Sequence, residues 1–154
     1  MAVQQELYQM ELPGYWMDIG QPADYLRGQS MYILSLIERS SQLVTGNRVI
    51  VHESAQVDPT AIIGPNVVIG EGCKIGAGVK VRNSTIMAKT TLKPYSMICD
   101  SIIGWKNTIG SWVRISDMTC TGEDVQVKDE TCLTRVKILP HKGVEGIHID
   151  TIIM

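Results

Sequence analysis

Apolar side chains recur at every sixth position over most of this chain, and no other sequence feature constrains the fold as strongly. The first series has seven members in a row: Val51, Val57, Ile63, Ile69, Ile75, Val81 and Met87. Val, Ile, Leu and Met account for 50 of the 154 residues, so chance would give seven successive matches in one register with a probability of about 0.0004. A helix repeats every 3.6 residues and a half-buried strand every two, so period six predicts short strands separated by turns.

A second series continues the period after a slip in register. It begins ten rather than twelve residues after Met87, and its members are Met97, Ile103, Ile109, Ile115, Thr121, Val127, Leu133 and Leu139. Residues 92–95 lie at the slip, and Pro94 has no N–H to donate to a strand ladder. We therefore expect one irregular loop there in an otherwise regular stack of coils.

Small residues and glycines accompany both series. Four positions after each member of the first series comes a small or medium side chain: Ala55, Ala61, Val67, Cys73, Val79, Thr85 and Thr91. Glycine, which permits a tight corner, directly follows several of the apolar residues: Gly64, Gly70, Gly76, Gly104, Gly110 and Gly122. Three hexads per turn predict about five triangular coils with the apolar columns inside. The absence of Phe suits so narrow an interior, and Tyr95, Trp105 and Trp112 should lie outside.

The first 48 residues lack this period. Residues 21–40 are predicted to form a helix, because Pro22 suits a first helical turn and apolar or small residues recur three and four apart: Leu26, Ser30, Ile33, Leu34 and Ile37. Turn-forming residues predict a connector at 41–48. The coils should then occupy residues 49–140 and be followed by a C-terminal tail at 141–154.

Composition excludes several classes of protein. A net charge of -2 without a Lys/Arg-rich run argues against a nucleic-acid partner, since phosphate binding needs concentrated positive charge. No stretch approaches the ~18 to 20 apolar residues of a membrane span. The four cysteines form no CxxC pair, which favours buried free thiols over a zinc or redox site and predicts a cytoplasmic location.

Several segments carry a family resemblance. The hexads IGPNVV, IGEGCK and IGAGVK resemble the hexapeptide repeats of left-handed parallel β-helices. Outside the repeats, the chain resembles the mannose-1-phosphate guanylyltransferase (GDP-mannose pyrophosphorylase) family of the eukaryotic catalytic type, in LYQMELPGYWMDIGQPADYL, GWKNTIGSWVRI, GEDVQVKDE, KILPHK and TIIM. This resemblance spans residues 7–154 and implies an all-β fold preceded by an extended segment and one helix.

The resemblance also implies a function and a division of the chain. Members of the family transfer a guanylyl group from GTP to mannose 1-phosphate with Mg²⁺, giving GDP-mannose and pyrophosphate. Residues 1–40 would be the last strand and helix of the nucleotidyltransferase domain, and Asp18 would be a Mg²⁺ ligand in the intact parent. The family's glycine-rich phosphate loop is absent, and GEGCKIGAG follows the hexad corners instead. The chain by itself is therefore expected to contain no catalytic residue and to be inactive.

Other functions remain open at this point. In a hexapeptide-repeat acyltransferase, His52 would be the general base. A γ-type carbonic anhydrase would need zinc held by His52, His141 and His148, whose spacing does not make them converge. The chain could also belong to a non-catalytic regulatory paralogue or scaffold. As an assembly module, it is expected to form homo-oligomers through an outer surface bearing Trp105 and Trp112.

Overall fold

A computed structural model describes residues 8–154 as one helix followed by nineteen short strands. In chain order, these elements are α1 (Pro22–Glu38), β1 (Val49–Val51), β2 (Gln56–Val57), β3 (Ile62–Ile63), β4 (Val67–Ile69), β5 (Lys74–Ile75), β6 (Lys80–Arg82), β7 (Ser84–Ile86), β8 (Thr91–Leu92), β9 (Met97–Cys99), β10 (Ile102–Ile103), β11 (Thr108–Ile109), β12 (Arg114–Ser116), β13 (Cys120–Thr121), β14 (Gln126–Val127), β15 (Cys132–Thr134), β16 (Lys137–Ile138), β17 (Gly143–Val144), β18 (Ile147–Ile149) and β19 (Ile152–Ile153). Strands of two or three residues separated by turns are what period six predicts.

Each strand pairs in parallel with the strand three positions earlier in the chain, and this pairing generates three sheets around one core. The first sheet is β1-β4-β7-β10-β13-β16-β19, the second is β2-β5-β8-β11-β14-β17, and the third is β3-β6-β9-β12-β15-β18. The expected left-handed parallel β-helix is confirmed. It has six turns plus one strand rather than about five turns.

The additional turn comes from residues expected to be a tail. The strands β17, β18 and β19 pair with β14, β15 and β16, so the β-helix continues past residue 140 to Ile153. The sequence pattern concealed this coil because it is only fifteen residues long, as the pairing of Cys132 with Ile147 shows, and because His148 occupies the position paired with the buried Leu133.

The slip in register is distributed over several corners. Ile86 pairs with Ile69, seventeen residues earlier, because the corner between the third and first sheets is one residue shorter in that coil. Shorter corners of this kind change which residues face the core. Met87, Met97 and Leu139 were expected there, but the buried residues are Ile86, Leu92, Ile98 and Ile138. The prediction of a single irregular loop at residues 92–95 is wrong, since Leu92 lies in β8 and Pro94 in an ordinary two-residue turn.

Corner glycines allow successive coils to approach each other. A Cβ on Gly122 would lie 2.7 Å from the backbone nitrogen of Pro140 in the next coil, and a Cβ on Gly104 would meet the carbonyl oxygen of Gly122. The left-handed backbone of this corner falls two residues later, at Lys106, with φ 57°. The glycines are therefore needed for close approach of the backbones more than for the bend itself.

A buried polar network lies inside the corner between the first and second sheets, and the apolar pattern did not reveal it. Asn107 is 1% exposed, donates from Nδ2 to Thr121 Oγ1, and accepts through Oδ1 from the Val125 N–H at 2.7 Å. Thr90 Oγ1 donates to the Gly104 carbonyl at 2.8 Å. Each of these hydrogen bonds joins different coils, so the network fixes the stacking of the corner while keeping its polar atoms paired.

The predicted helix is present as α1, and it lies on the outer face of the first sheet. Gln29 donates from Nε2 to the carbonyls of Asn66 at 3.1 Å and Ser84 at 3.4 Å, and its Oε1 accepts from Thr85 Oγ1. Ile33, one turn further along, is completely buried. One side chain thus anchors the helix to two successive strands of the sheet.

The segment before α1 differs from the expected strand. Residues 8–20 contain no strand. Tyr8, Tyr15 and Trp16 are exposed, as expected for a segment without a sheet. The part of that expectation concerning residues 1–7 lies outside the described residues. Within residues 8–154, no helix combines the length and apolar character that a bilayer crossing requires.

Candidate functional site

Asp18, the expected Mg²⁺ ligand, lies exposed in the segment that precedes α1. No group of three His, Cys, Asp or Glu side chains suited to a metal ion occurs among residues 8–154. Mg²⁺ needs several oxygen donors in near-octahedral geometry. The described residues therefore do not complete a magnesium site around Asp18, and its role in a longer protein stays a prediction.

The three histidines lie in different parts of the β-helix. His52 follows β1 in the first coil, where its Nδ1 is 2.9 Å from Ser54 Oγ. His141 and His148 lie in the last coil, and His141 Nδ1 is 3.0 Å from Asp124 Oδ2. His148 Nε2 is 2.9 Å from the carbonyl oxygen of Glu145. Each imidazole is engaged within its own corner, so the three do not form a zinc site.

Trp105 and Trp112 lie at opposite ends of β11, on the two edges that bound the second sheet. Their side chains are 52% and 59% exposed. Trp112 stacks on Tyr95 of the preceding coil, with ring centroids 4.6 Å apart and planes inclined by 19°. Tyr95 and Trp112 therefore form an exposed aromatic pair at one edge of the second sheet, and Trp105 lies at the other edge. Their role in assembly remains a prediction.

The outer face of the second sheet is a shallow trough lined by both polar and apolar residues. Two adjoining depressions of about 470 and 460 Å³ share Lys93 in their linings. Lys93 Nζ lies 3.8 Å from Asp129 Oδ1, and Lys128 pairs with Glu145. The central strand positions carry short side chains such as Thr108. This face offers a surface for contacts but no enclosed pocket for chemistry.

A largely apolar cavity lies between α1, the segment before it and the first sheet. It has a volume of about 450 Å³, and its lining includes Tyr15, Met17, Tyr32, Ile50 and Val68. Among the residues described, its lining contains no carboxylate, histidine or thiol, and its polar groups are those of Gln29 and the tyrosines. The cavity can therefore accommodate apolar groups.

The four cysteines are free, and three of them lie in surroundings that make them poor nucleophiles. Burial raises the pKa of the Cys73, Cys99 and Cys120 thiols above the usual value of 9.0. A raised pKa keeps the thiol protonated at neutral pH, and the thiolate is the reactive form. Cys73, Cys99 and Cys120 are therefore poor candidates for a catalytic nucleophile.

Charged residues pair between coils along the corners. Lys106 Nζ lies 2.5 Å from Glu123 Oε1, and this hydrogen bond holds the pKa of Glu123 below its usual value. Arg135 binds Asp150 through Nε at 2.5 Å and Nη2 at 2.9 Å, which lowers the pKa of Asp150. Its Nη1 lies 3.5 Å from Asp117 Oδ2. These shifts arise from ladders of exposed ion pairs and not from a catalytic cleft.

The chain matches a family model and several curated proteins. The family model for the GMPPB C-terminal domain matches residues 45–153. The mannose-1-phosphate guanylyltransferase catalytic subunit beta of Drosophila melanogaster is 50% identical over 149 residues, which cover 94% of this chain and 40% of that protein. The mannose-1-phosphate guanyltransferase of Pichia angusta is 42% identical over 163 residues, covering 100% and 45%. The chain thus spans less than half the length of these relatives.

Solved structures show a weaker likeness. A mutant perosamine N-acetyltransferase from Caulobacter crescentus, in complex with CoA and GDP-perosamine, is 16% identical, with 77% of this chain and 60% of that chain covered and a TM-score of 0.39. Similarity at this level bears on neither activity nor ligand.

Proposed function

The chain belongs to the GMPPB C-terminal domain family, and from this membership we propose that it is the C-terminal β-helix of a mannose-1-phosphate guanylyltransferase. The observation that carries the proposal is the family match over residues 45–153, which contains every strand of the coils from Val49 to Ile153. Relatives at 42% and 50% identity that carry the guanylyltransferase name support it.

The proposed activity of the longer protein is guanylyl transfer from GTP to mannose 1-phosphate, giving GDP-mannose and pyrophosphate. This chain would serve assembly or regulation and would have no transferase activity alone. The features that support this division are the protonated thiols, the separated histidines and the absence of a metal-binding cluster among residues 8–154. GTP and mannose 1-phosphate would bind only together with a catalytic domain.

Mg²⁺ enters the proposal as a cofactor of the longer protein. Asp18 is the one residue of this chain proposed to bind it, and the residues described around Asp18 do not complete the site. No catalytic step at Mg²⁺ is therefore assigned to this chain. Location in the cytoplasm is also proposed, because four free cysteines suit a reducing compartment.

A chimera tests the proposed function. In the Drosophila relative, the matching C-terminal part, 40% of its length, is replaced by this chain. We expect GDP-mannose formation within about tenfold of the unaltered relative, and none from the 154-residue chain alone. A well-folded but inactive chimera would contradict the proposal, as would guanylyl transfer by the chain alone. The unaltered relative and a truncated form without its C-terminal part are the controls.

Homo-oligomerisation is the second element of the proposal. A parallel β-helix ends in unpaired strand edges, and exposed aromatic residues such as Trp105 and Trp112 supply contact area. Light scattering of the purified chain at high micromolar concentration should show a mass above that of the 17.0 kDa monomer. A strict monomer would refute this element without affecting the enzymatic one.

The acyltransferase alternative gains no specific support. His52, its proposed general base, is exposed and faces Ser54 within its own turn, where Nδ1 also accepts from the Ser54 N–H at 3.2 Å. Calorimetry with CoA is a direct check. Binding of CoA together with loss of acyl transfer in His52→Ala would favour the acyltransferase over the guanylyltransferase.

A further inference from the structure

Two columns of side chains run side by side where the second sheet turns into the third. The first column lies at the corner and takes one residue from each of three successive coils: Gly78, Tyr95 and Trp112. The second lies two residues further along each coil, on paired strands of the third sheet: Lys80, Met97 and Arg114. The fold therefore places an aromatic pair directly beside two cations.

The aromatic column ends on an indole face that a further ring can occupy. A Cβ on Gly78 would lie 2.6 Å from Tyr95 Cδ1, so the absence of a side chain at Gly78 leaves room for the Tyr95 ring. Trp112 stacks on Tyr95 from the next coil and is 59% exposed. In the coil after that, Glu130 takes the same corner position and has no ring to continue the stack. Aromatic rings favour such offset stacking with another flat ring.

The third sheet is the most positively charged of the three. Its strands hold three of the five lysine and arginine residues in the strands of the β-helix: Lys80, Arg82 and Arg114. No aspartate or glutamate occurs in the strands described for this sheet. Arg82 lies 3.8 Å from Asp100 at the next corner, whereas Lys80 and Arg114 form no ion pair with any residue among 8–154. Such a surface favours an anionic ligand.

A shallow depression of about 300 Å³ lies on this sheet, and Lys80 and Arg82 contribute to its lining. An ammonium and a guanidinium at one depression can bind phosphate oxygens through charge-assisted hydrogen bonds. Met97 and Cys99 of the neighbouring strand complete its wall. The depression therefore suits a phosphate that is carried on an organic group.

The aromatic pair and the depression are close enough for one ligand to contact both. Trp112 lies two coils beyond Lys80, a separation of roughly 10 Å at the usual strand spacing, and Arg114 lies in the same coil as Trp112. A flat base joined through a ribose to two phosphates has the required ring, charge and length. A nucleic acid would need a larger basic surface, which a chain with a net charge of -2 does not offer.

We propose that this corner and the third sheet bind a nucleoside diphosphate. Its base stacks on Trp112, and its phosphates bind Arg114, Lys80 and Arg82. The inference goes beyond the proposed function and does not depend on it, because every residue that it uses lies within the β-helix. It leaves Trp105, at the other edge of the second sheet, to the proposed assembly.

An NMR titration of the 154-residue chain with GDP tests the inference, since the three tryptophan indole N–H groups are separate reporters. We expect the Trp112 signal to shift with a dissociation constant below about 1 mM, and the Trp105 signal to stay in place. Trp112→Ala should weaken binding at least about tenfold, because stacking on the base is lost. Trp105→Ala removes a similarly exposed indole and is the matched control, with an expected change within about twofold.

The phosphate contacts are tested separately. The double variant Lys80→Gln, Arg114→Gln should bind GDP at least about tenfold more weakly, and Lys137→Gln, exposed on the first sheet, should change binding by less than about twofold. Inorganic pyrophosphate, which has no ring, should bind at least about tenfold more weakly than GDP. Circular dichroism checks that each variant is folded. If Trp112→Ala is not, Trp112→Leu replaces it, with the same expected loss.

Three results would overturn the inference. If GDP shifts no signal at about 5 mM, the site does not exist. If the shifts centre away from Trp112 and the third sheet, the location is wrong. If pyrophosphate binds as tightly as GDP and a folded Trp112 variant keeps its affinity, the surface binds anions without regard to the base. None of these results affects the family membership or the proposed guanylyl transfer, which the chimera tests.

Discussion

The middle coils of the β-helix and the region before it are stabilised in different ways. Between β4 and β16, inward side chains such as Ile103 and Ile115 are completely buried, and each strand has a partner on both sides. In residues 8–43, by contrast, exposed large apolar side chains are frequent, and they include Tyr8, Met10 and Trp16. The coils satisfy their own backbone and core, whereas the preceding region is held mainly where α1 meets the first sheet.

This difference shows where substitutions should act globally and where they should act locally. A change inside the coils affects a backbone or side chain with partners in the coils above and below it, so its cost extends through the stack. A change at the base of α1 releases only the elements that precede the β-helix.

The largest effect is expected for Gly104→Ala. The new Cβ would meet the carbonyl oxygens of Gly122 and Thr121 in the next coil, and backbone atoms cannot move aside as a flexible side chain can. We expect a loss of about 3 kcal/mol or more in the free energy of unfolding, measured by chemical denaturation. Gly143→Ala is the control, since no atom lies within 4 Å of its Cβ position. Equal effects at the two sites would contradict the close-approach argument.

Asn107→Leu should follow. The substitution removes the acceptor of the Val125 N–H and a donor to Thr121 in a buried corner, and a buried unpaired group costs about 1 to 3 kcal/mol. We expect a loss of about 2 kcal/mol in the free energy of unfolding. Gln126→Leu, at an exposed position of β14, should change it by less than about 0.5 kcal/mol. A tolerated Asn107→Leu would mean that the network does not hold the coils together.

A smaller and local effect is expected for Gln29→Ala, which removes the hydrogen bonds to Asn66, Ser84 and Thr85. Hydrogen exchange of the α1 amides should accelerate by about tenfold, corresponding to about 1.4 kcal/mol, while exchange in the β-helix stays unchanged. Arg27→Ala, on the exposed side of the same helix, serves as control. Uniform acceleration throughout the chain would show that α1 and the coils unfold as one unit.

The smallest effect concerns the exposed ladder at Arg135. Its hydrogen bonds lower the folded-state pKa of Asp150 below the usual 3.8, so the stability they contribute is present above that pH and is lost as the pH falls through the folded pKa. Arg135→Gln should therefore lower the Tm slightly at pH 7 and less at about pH 3. A Tm difference that is the same at both pH values would exclude this linkage.

Period six predicted the fold because the β-helix repeats one local arrangement. Each hexad supplies one inward apolar residue and one corner, so the pattern in Ile69, Ile75 and Val81 is visible without any tertiary contact. The shortened corners were not visible, because a corner shorter by one residue moves the inward position from Met87 to Ile86, and both are apolar. The last coil was missed for a related reason, since His148 interrupts the column.

The candidate site was less accessible to sequence reasoning. The resemblance marked Asp18, but a metal site depends on donors from several segments, and the described residues bring no others to it. Trp105 and Trp112 were expected on one outer surface. They are seven residues apart, with β11 between them, so they lie on different edges of the β-helix.

By itself, the sequence determined the coiled architecture, the helix before it and the family, because these depend on local periodicity and on motifs contiguous in the chain. Only the tertiary structure decided which residues face inward after each corner, how Asn107 is satisfied by neighbouring coils, and that Lys80 and Arg114 share a column beside the aromatic pair. Those features arise between residues about 17 or 18 positions apart, one coil above another, and no local pattern encodes that pairing.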